Sequence, residues 1–114
     1  MSMNDKFWQQ LDRLVATNGV KVERPKGSAH PRYPEYIYPV DYGFIPGTKS
    51  SDDAEMDVWI GSEDKSHVSG VLITSDPQKS DIEIKVLVGC SPEETEAALA
   101  SSNRGEMSAI LVTR

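Results

Sequence analysis

Cysteine is nearly missing from this 114-residue chain: Cys90 stands alone, so no disulfide can form within it. A lone thiol fits a reducing compartment, and no leader-like or long apolar run is present, so a soluble, cytoplasmic protein outside the membrane is expected. Histidine is scarce too. His30 and His67 show no spacing to Cys90 that marks a thiol–imidazole pair, and Cys90 reads as a small core residue near a strand end. Positive charge is in deficit, with 12 Lys and Arg against 18 Asp and Glu and a net charge of −6. That balance, with no basic groove of interleaved aromatics, argues against nucleic acid as a partner. It leaves a phosphate ligand open, because a cation can bridge two negative groups. Repeats and low-complexity tracts are also absent, and the length is that of one domain with a genuine core, here residues 1–114.

What is present is a succession of short elements. Phe7, Trp8, Leu11, Leu14 and Val15 recur at helical spacing over residues 4–17, with Asn4 as a cap and Asn18-Gly19 as a stop. Val20 and Val22 open a strand, and Pro25, Gly27, Pro31 and Pro34 break the next stretch into a loop, with Gly43 read as a tight turn after Tyr42. Met56–Ile60 and Val68–Thr74 read as strands, and Ile82, Ile84, Val86 and Val88 alternate as in a half-buried one. Ser91-Pro92-Glu93-Glu94 starts a second helix, which brings Ala97, Ala98 and Leu99 to the core and stops near Asn103–Gly105. A last strand covers Met107–Val112. Strands bracketed by two helices, too short for βαβ repeats, predict a small antiparallel barrel.

The chemistry concentrates between Lys21 and Asp57, KVERPKGSAHPRYPEYIYPVDYGFIPGTKSSDDAEMD. Lys21, Arg24, Lys26 and Arg32 supply cations, and a guanidinium fork suits phosphate oxygens. Asp52, Asp53, Glu55 and Asp57 form an acidic knot at the mouth of a strand. Asp76 and Asp81 flank the turn SDPQKSD. Carboxylates drawn together repel unless a cation joins them, and hard oxygen ligands suit Mg²⁺. Each feature alone also describes a solvated turn or a surface arginine. Their juxtaposition points to metal-assisted phosphate chemistry. Tyr33, Tyr36, Tyr38 and Tyr42 are all the tyrosines of the chain, gathered where phenols could bind phosphate or pack their rings.

Four segments, VERPKGS, YPVDYGFIPGT, SSDDAEMDVWI and GVLITSDPQKSDIEIKVLVG, follow one another from Val22 to Gly89. In that order they resemble the first strand, the Y-P-x-N-Y-G-F-I-P-x-T signature, the D-G-D-P-x-D-V motif and the D-x-x-x-x-D-x-K segment of the soluble family I inorganic pyrophosphatases. The resemblance implies an α+β fold: a small OB-type antiparallel β-barrel flanked by an N-terminal and a C-terminal helix. It implies an inorganic diphosphatase that uses Mg²⁺, with Mn²⁺ as a substitute, to hydrolyse pyrophosphate or a related phosphoanhydride, and a homo-oligomer. Carried over by position, the metal ligands are Glu23, Asp52, Asp57, Asp76 and Asp81. Asp52, Asp57 and Tyr42 take catalytic places, and Arg32, Tyr38 and Lys26 take substrate-binding ones.

The chain also departs from that pattern. Ala54 stands where the resemblance places the water-activating Asp, and Glu55 replaces a Pro. Glu83 stands at a phosphate-binding Lys. Three residues separate Pro34 from Tyr38, where the family usually inserts a hairpin. General-base activation contributes ~10²–10⁴-fold. The expectation is therefore a hydrolase of reduced rate or altered substrate. The alternative is a catalytically decayed relative with a metal- or anion-binding or assembly role.

Overall fold

The first helix, α1 (Met3–Asn18), belongs to a computed structural model that describes residues 3–114. Trp8, Leu11 and Val15 lie one above another on its buried side, as their spacing requires. Phe7 and Leu14 sit about a quarter-turn off that line and are 50% and 37% exposed, so the predicted apolar face is narrower than the sequence pattern. The helix begins ahead of Asn4, which is therefore not its cap. It stops at Gly19, whose φ of +75° suits glycine and whose N–H donates to the Val15 carbonyl at 2.8 Å.

Six strands follow: β1 (Lys21–Arg24), β2 (Asp41–Ile45), β3 (Met56–Ile60), β4 (Val68–Asp76), β5 (Asp81–Val88) and β6 (Ser108–Thr113). They form one sheet in the order β1-β2-β3-β5-β4-β6. Four pairings are antiparallel as expected, whereas β3 and β5 run parallel. The sheet ends in the edge strands β1 and β6 and makes a loose, incompletely closed barrel. Strand β2 replaces the turn expected at Gly43. A Cβ at Gly43 would lie 1.8 Å from the Lys21 carbonyl oxygen, so glycine is there to let β1 approach, not to bend the chain. The bend comes later, at Gly47, with φ +73°.

Each face of the sheet has its own core. On one, Trp8, Leu11 and Val15 of α1 pack on Ile45, Val58, Ile60, Val71, Val86 and Val88. On the other, Ala98 of α2 (Pro92–Ser101) packs with Tyr38, Val40, Trp59, Leu72, Leu87 and Cys90. The predicted cap is in place: Ser91 Oγ accepts from Glu94 N at 3.1 Å, and Glu94 Oε1 accepts from Ser91 N at 2.8 Å. Glu94 also accepts from Ser62 N at 3.1 Å, tying α2 to the segment after β3. Helix α1 covers Val86 and Val88 but not the other half of β5. Ile82 and Ile84 are 68% and 55% exposed, against the half-buried reading of that alternation. The other parity of the strand, Glu83 and Lys85, points into the face opposite α1.

Candidate functional site

Residues facing each other across paired strands share a side of the sheet. Arg24 faces Tyr42, Tyr42 faces Trp59, Asp57 faces Lys85, Thr74 faces Glu83 and Asp76 faces Asp81. Pairing and the alternation of each strand thus put Arg24, Tyr42, Asp57, Lys85, Glu83 and Asp76 on the side away from α1. There all of them but Asp57 line a cavity of about 430 Å³. Its lining includes Arg24, Tyr38, Tyr42, Asp76, Glu83 and Lys85, and it is flanked by Arg104 from the segment after α2.

Lys85 is the centre of the floor. Its ammonium donates to Tyr42 Oη at 2.8 Å, Asp57 Oδ2 at 2.9 Å and Glu83 Oε2 at 2.9 Å. Burial by itself would drive the amine towards neutrality, but Tyr42, Asp57 and Glu83 outweigh it and hold the pKa above that of an ordinary lysine. Burial raises the Tyr42 phenol far above its usual range, despite the neighbouring Lys85 charge. Tyr42 is therefore a neutral acceptor at pH 7, and the charge that keeps Lys85 protonated there comes from Asp57 and Glu83.

A second cation is fixed at the cavity wall. Arg24 donates through one terminal nitrogen to the hydroxyl of Tyr38, a residue only 4% exposed. That bond raises the arginine's pKa; burial opposes it, and Glu23, 3.8 Å from Arg24 Nε, supports it. Around them, Tyr38 packs against Tyr36 at 5.0 Å and Tyr42 at 5.5 Å, and Tyr42 meets Trp59 edge-on at 4.8 Å. The Trp59 indole N–H is buried without a hydrogen-bond partner among the described residues. Arg104 lies over the Tyr36 ring, 4.6 Å from its centroid, and Tyr36 in turn bonds Ser101. Burial and the charges of Arg24 and Arg32 push the His30 pKa down, which leaves a neutral imidazole at pH 7.

The residues proposed from sequence are only partly brought together. Tyr38, Tyr42 and Asp76 line the cavity, and Asp57 lies behind that lining, paired with Lys85. Asp81 faces Asp76 across the hairpin, but Asp76 Oδ1 is engaged by the Gln78 N–H at 3.0 Å. The acidic knot does not converge. Asp52 accepts from Ser50 and from the Ala54 N–H, and those bonds lower its pKa. Asp53 pairs with Lys49 at 3.3 Å, Glu55 accepts from Gly47 N at 3.0 Å, and only Asp57 turns towards the site. Each acidic residue serves its own turn, so the loop relieves their repulsion by separating them. Arg32, Lys26 and Glu23 are exposed and do not line the cavity. The cations that line it are Arg24, Lys79, Lys85 and Arg104. Counting by twos along the strand from Asp81 through Glu83 to Lys85 was the available signal for Lys85.

Among the described residues, no group of three His, Cys, Asp or Glu side chains is arranged to hold a metal ion. The two carboxylates that do meet, Asp57 and Glu83, meet on an ammonium. The donor set does not fit a resident divalent cation.

Residues 15–78 match the family model described as inorganic pyrophosphatase. The chain belongs to the inorganic pyrophosphatase family. Members of that family act on pyrophosphate and generally use a divalent metal. The fold is similar to the solved inorganic pyrophosphatase of Coxiella burnetii, at 16% identity and a TM-score of 0.58, with 82% of each chain covered. It is likewise similar to the Helicobacter pylori enzyme, at 16% identity and a TM-score of 0.55, with 82% of this chain and 81% of that one covered. A search of curated protein sequences gave no significant match. No helix among the described residues is long and apolar enough to cross a membrane.

Proposed function

We propose that this diphosphatase-like protein binds pyrophosphate, or a related phosphoanhydride, in the cavity beside Lys85 and hydrolyses it to two phosphates. The observation that carries this reading is Arg24, a guanidinium held by a buried tyrosine at the wall of a cavity in a chain of this family. A planar fork fixed in this way matches phosphate oxygens while losing little side-chain freedom on binding. Arg104, stacked on Tyr36, offers a second fork in the same lining.

Charge decides how the anion arrives. Arg24, Lys79, Lys85 and Arg104 line the cavity together with Glu35, Asp76, Glu83 and Glu106, so four cations meet four carboxylates. A diphosphate carries several negative charges, and a neutral lining does not balance them. The substrate is therefore the magnesium complex of the anion, with Mn²⁺ as a substitute, and the ion enters with its phosphate. Water adds to one phosphorus, the bridging P–O bond breaks, and the displaced proton leaves with phosphate or solvent. No step requires a strong protein base, and Ala54, exposed on its turn, supplies none. Such an enzyme is slower than one with an activated water by ~10²–10⁴-fold.

Phosphate release from pyrophosphate and Mg²⁺ tests this, with loss expected in Arg24→Gln. An undetectable wild-type rate would end the hydrolase reading. It would leave the second reading, a binding protein without turnover, which the tying of Asp57 and Glu83 to Lys85 favours. Calorimetry with the magnesium complex then separates a binder from a purely structural relative. By family likeness we extend the proposal to one domain spanning residues 1–114, a cytoplasmic location and self-association. The exposed Ile82, Ile84 and Ile110 offer an apolar surface for a second copy, and light scattering on the full chain tests it.

A further inference from the structure

We propose that the Lys85 ammonium is a built-in cation, permanently filling the position at which a divalent ion would otherwise join Asp57 and Glu83. An ammonium has three N–H donors and no acceptor. Lys85 has three acceptors, Tyr42 Oη, Asp57 Oδ2 and Glu83 Oε2, all between 2.8 and 2.9 Å. Every donor is used, so this lysine has none left for a phosphate oxygen. It is a positioning residue that holds two carboxylates together in place of a metal.

The arrangement is built into the chain rather than chosen by a flexible side chain. Lys85 and Asp57 are facing partners on the parallel β3–β5 pair, and Glu83 is two residues before Lys85 on the same side of the strand. The lysine side chain is 14% exposed and the two carboxylates 34% and 21%. An ion approaching the same oxygens at the ~2.0–2.1 Å of Mg²⁺ would have to occupy the place of the amine nitrogen. Displacing the amine would strand a charged lysine in a mostly buried position, where an unpaired charge is strongly penalised. The tethered cation also has no translational entropy to lose, so a free ion competes poorly against it.

The consequence is a separation of roles. The carboxylate pair at Asp57 is insensitive to divalent ions, and any metal the protein uses arrives bound to its anion. The ammonium holds the two carboxylates whether or not the protein turns substrate over.

Mn²⁺ binding to the full chain, followed by electron paramagnetic resonance without any phosphate, provides the test. Lys85→Met should bind Mn²⁺ at least about tenfold more tightly than wild type, the scale by which the surroundings of a site alter metal affinity. Adding Asp57→Asn to Lys85→Met should remove the gain. Equal affinity in wild type and Lys85→Met would overturn the proposal. Should Lys85→Met not fold, wild type supplies the decision through the nitrogen-15 signal of its lysine ammonium groups. One slowly exchanging ammonium resonance, lost in Asp57→Asn and unchanged by millimolar Mg²⁺, is expected. Its broadening or displacement by Mg²⁺ would refute the built-in cation.

Discussion

Lys85 and Asp57 face each other across the parallel pair of strands, 2.9 Å apart from ammonium to carboxylate, and Glu83 closes the same ammonium from two residues away. A salt bridge between adjacent strands is usually a surface feature of little energetic weight. This one sits at the floor of a cavity with the lysine almost covered, and it joins three elements of the site through one nitrogen.

Removing that nitrogen should therefore be felt in stability. Fully buried pairs lose about 3–5 kcal/mol when one partner is deleted, and exposed ones about 0–1. With both carboxylates partly in water, Lys85→Met should cost about 1–3 kcal/mol. Adding Glu83→Gln to Lys85→Met should recover part of it, because one of the two facing negative charges is removed. Urea unfolding of the three proteins checks this, and a double variant less stable than the single one would contradict the account.

Arg24 makes a different prediction, on binding. Arg24→Lys keeps the charge but loses the fork and the geometry of the bond to Tyr38. Affinity for magnesium pyrophosphate should fall about tenfold, or about 1.4 kcal/mol. Tyr38→Phe should weaken binding in the same direction by freeing the guanidinium. Calorimetry together with a melting curve separates the two roles. A variant that lowers the melting temperature and leaves affinity untouched would make Arg24 structural only.

Gly43 is a test of the fold alone. A methyl group there would meet the Lys21 carbonyl oxygen at 1.8 Å, backbone against backbone, with no flexible side chain to move aside. Gly43→Ala should expel β1 from the sheet or prevent folding, a loss of more than about 3 kcal/mol. Gly105→Ala is the control: open space surrounds it and only its φ of +59° resists, so about 1–2 kcal/mol is expected. Circular dichroism melts distinguish them, and similar melting temperatures would refute the steric argument.

Cys90 predicts a pH dependence. Burial, with the charge of Glu94 assisting, pushes its thiol up to about 12. The unfolded chain releases that proton near pH ~8.5. Between these values the native state holds more protons than the unfolded one, so stability from this group is complete below pH ~8.5 and declines as the pH rises towards 12. Cys90→Ser should flatten the alkaline limb of the stability curve. The native thiol should also resist alkylation at neutral pH, and rapid labelling of folded protein would count against its burial.

Much of this molecule was legible in its residues. Helical spacing placed Trp8, Leu11 and Val15 in the core, and the Ser91–Glu94 box placed the start of α2, because both depend on neighbours a turn away in sequence. The family likeness was readable too, since long ordered motifs survive Ala54 and Glu83. The alternation in β5 was visible but its buried side was not. Period two gives two faces without saying which one a helix will cover, and α1 reaches only half of that strand.

The amino-acid order by itself therefore determined the local elements, the turn chemistry and the family. Tertiary structure alone decided the site, because which cation meets which carboxylate depends on strands far apart in the chain. Asp57 meets Lys85 rather than Asp52 because pairing distributes residues by register, whereas residues crowded in one acidic loop separate to satisfy their own backbone. Arg24 became the fixed guanidinium, in place of Arg32, because only its strand lies beside a buried tyrosine able to hold it.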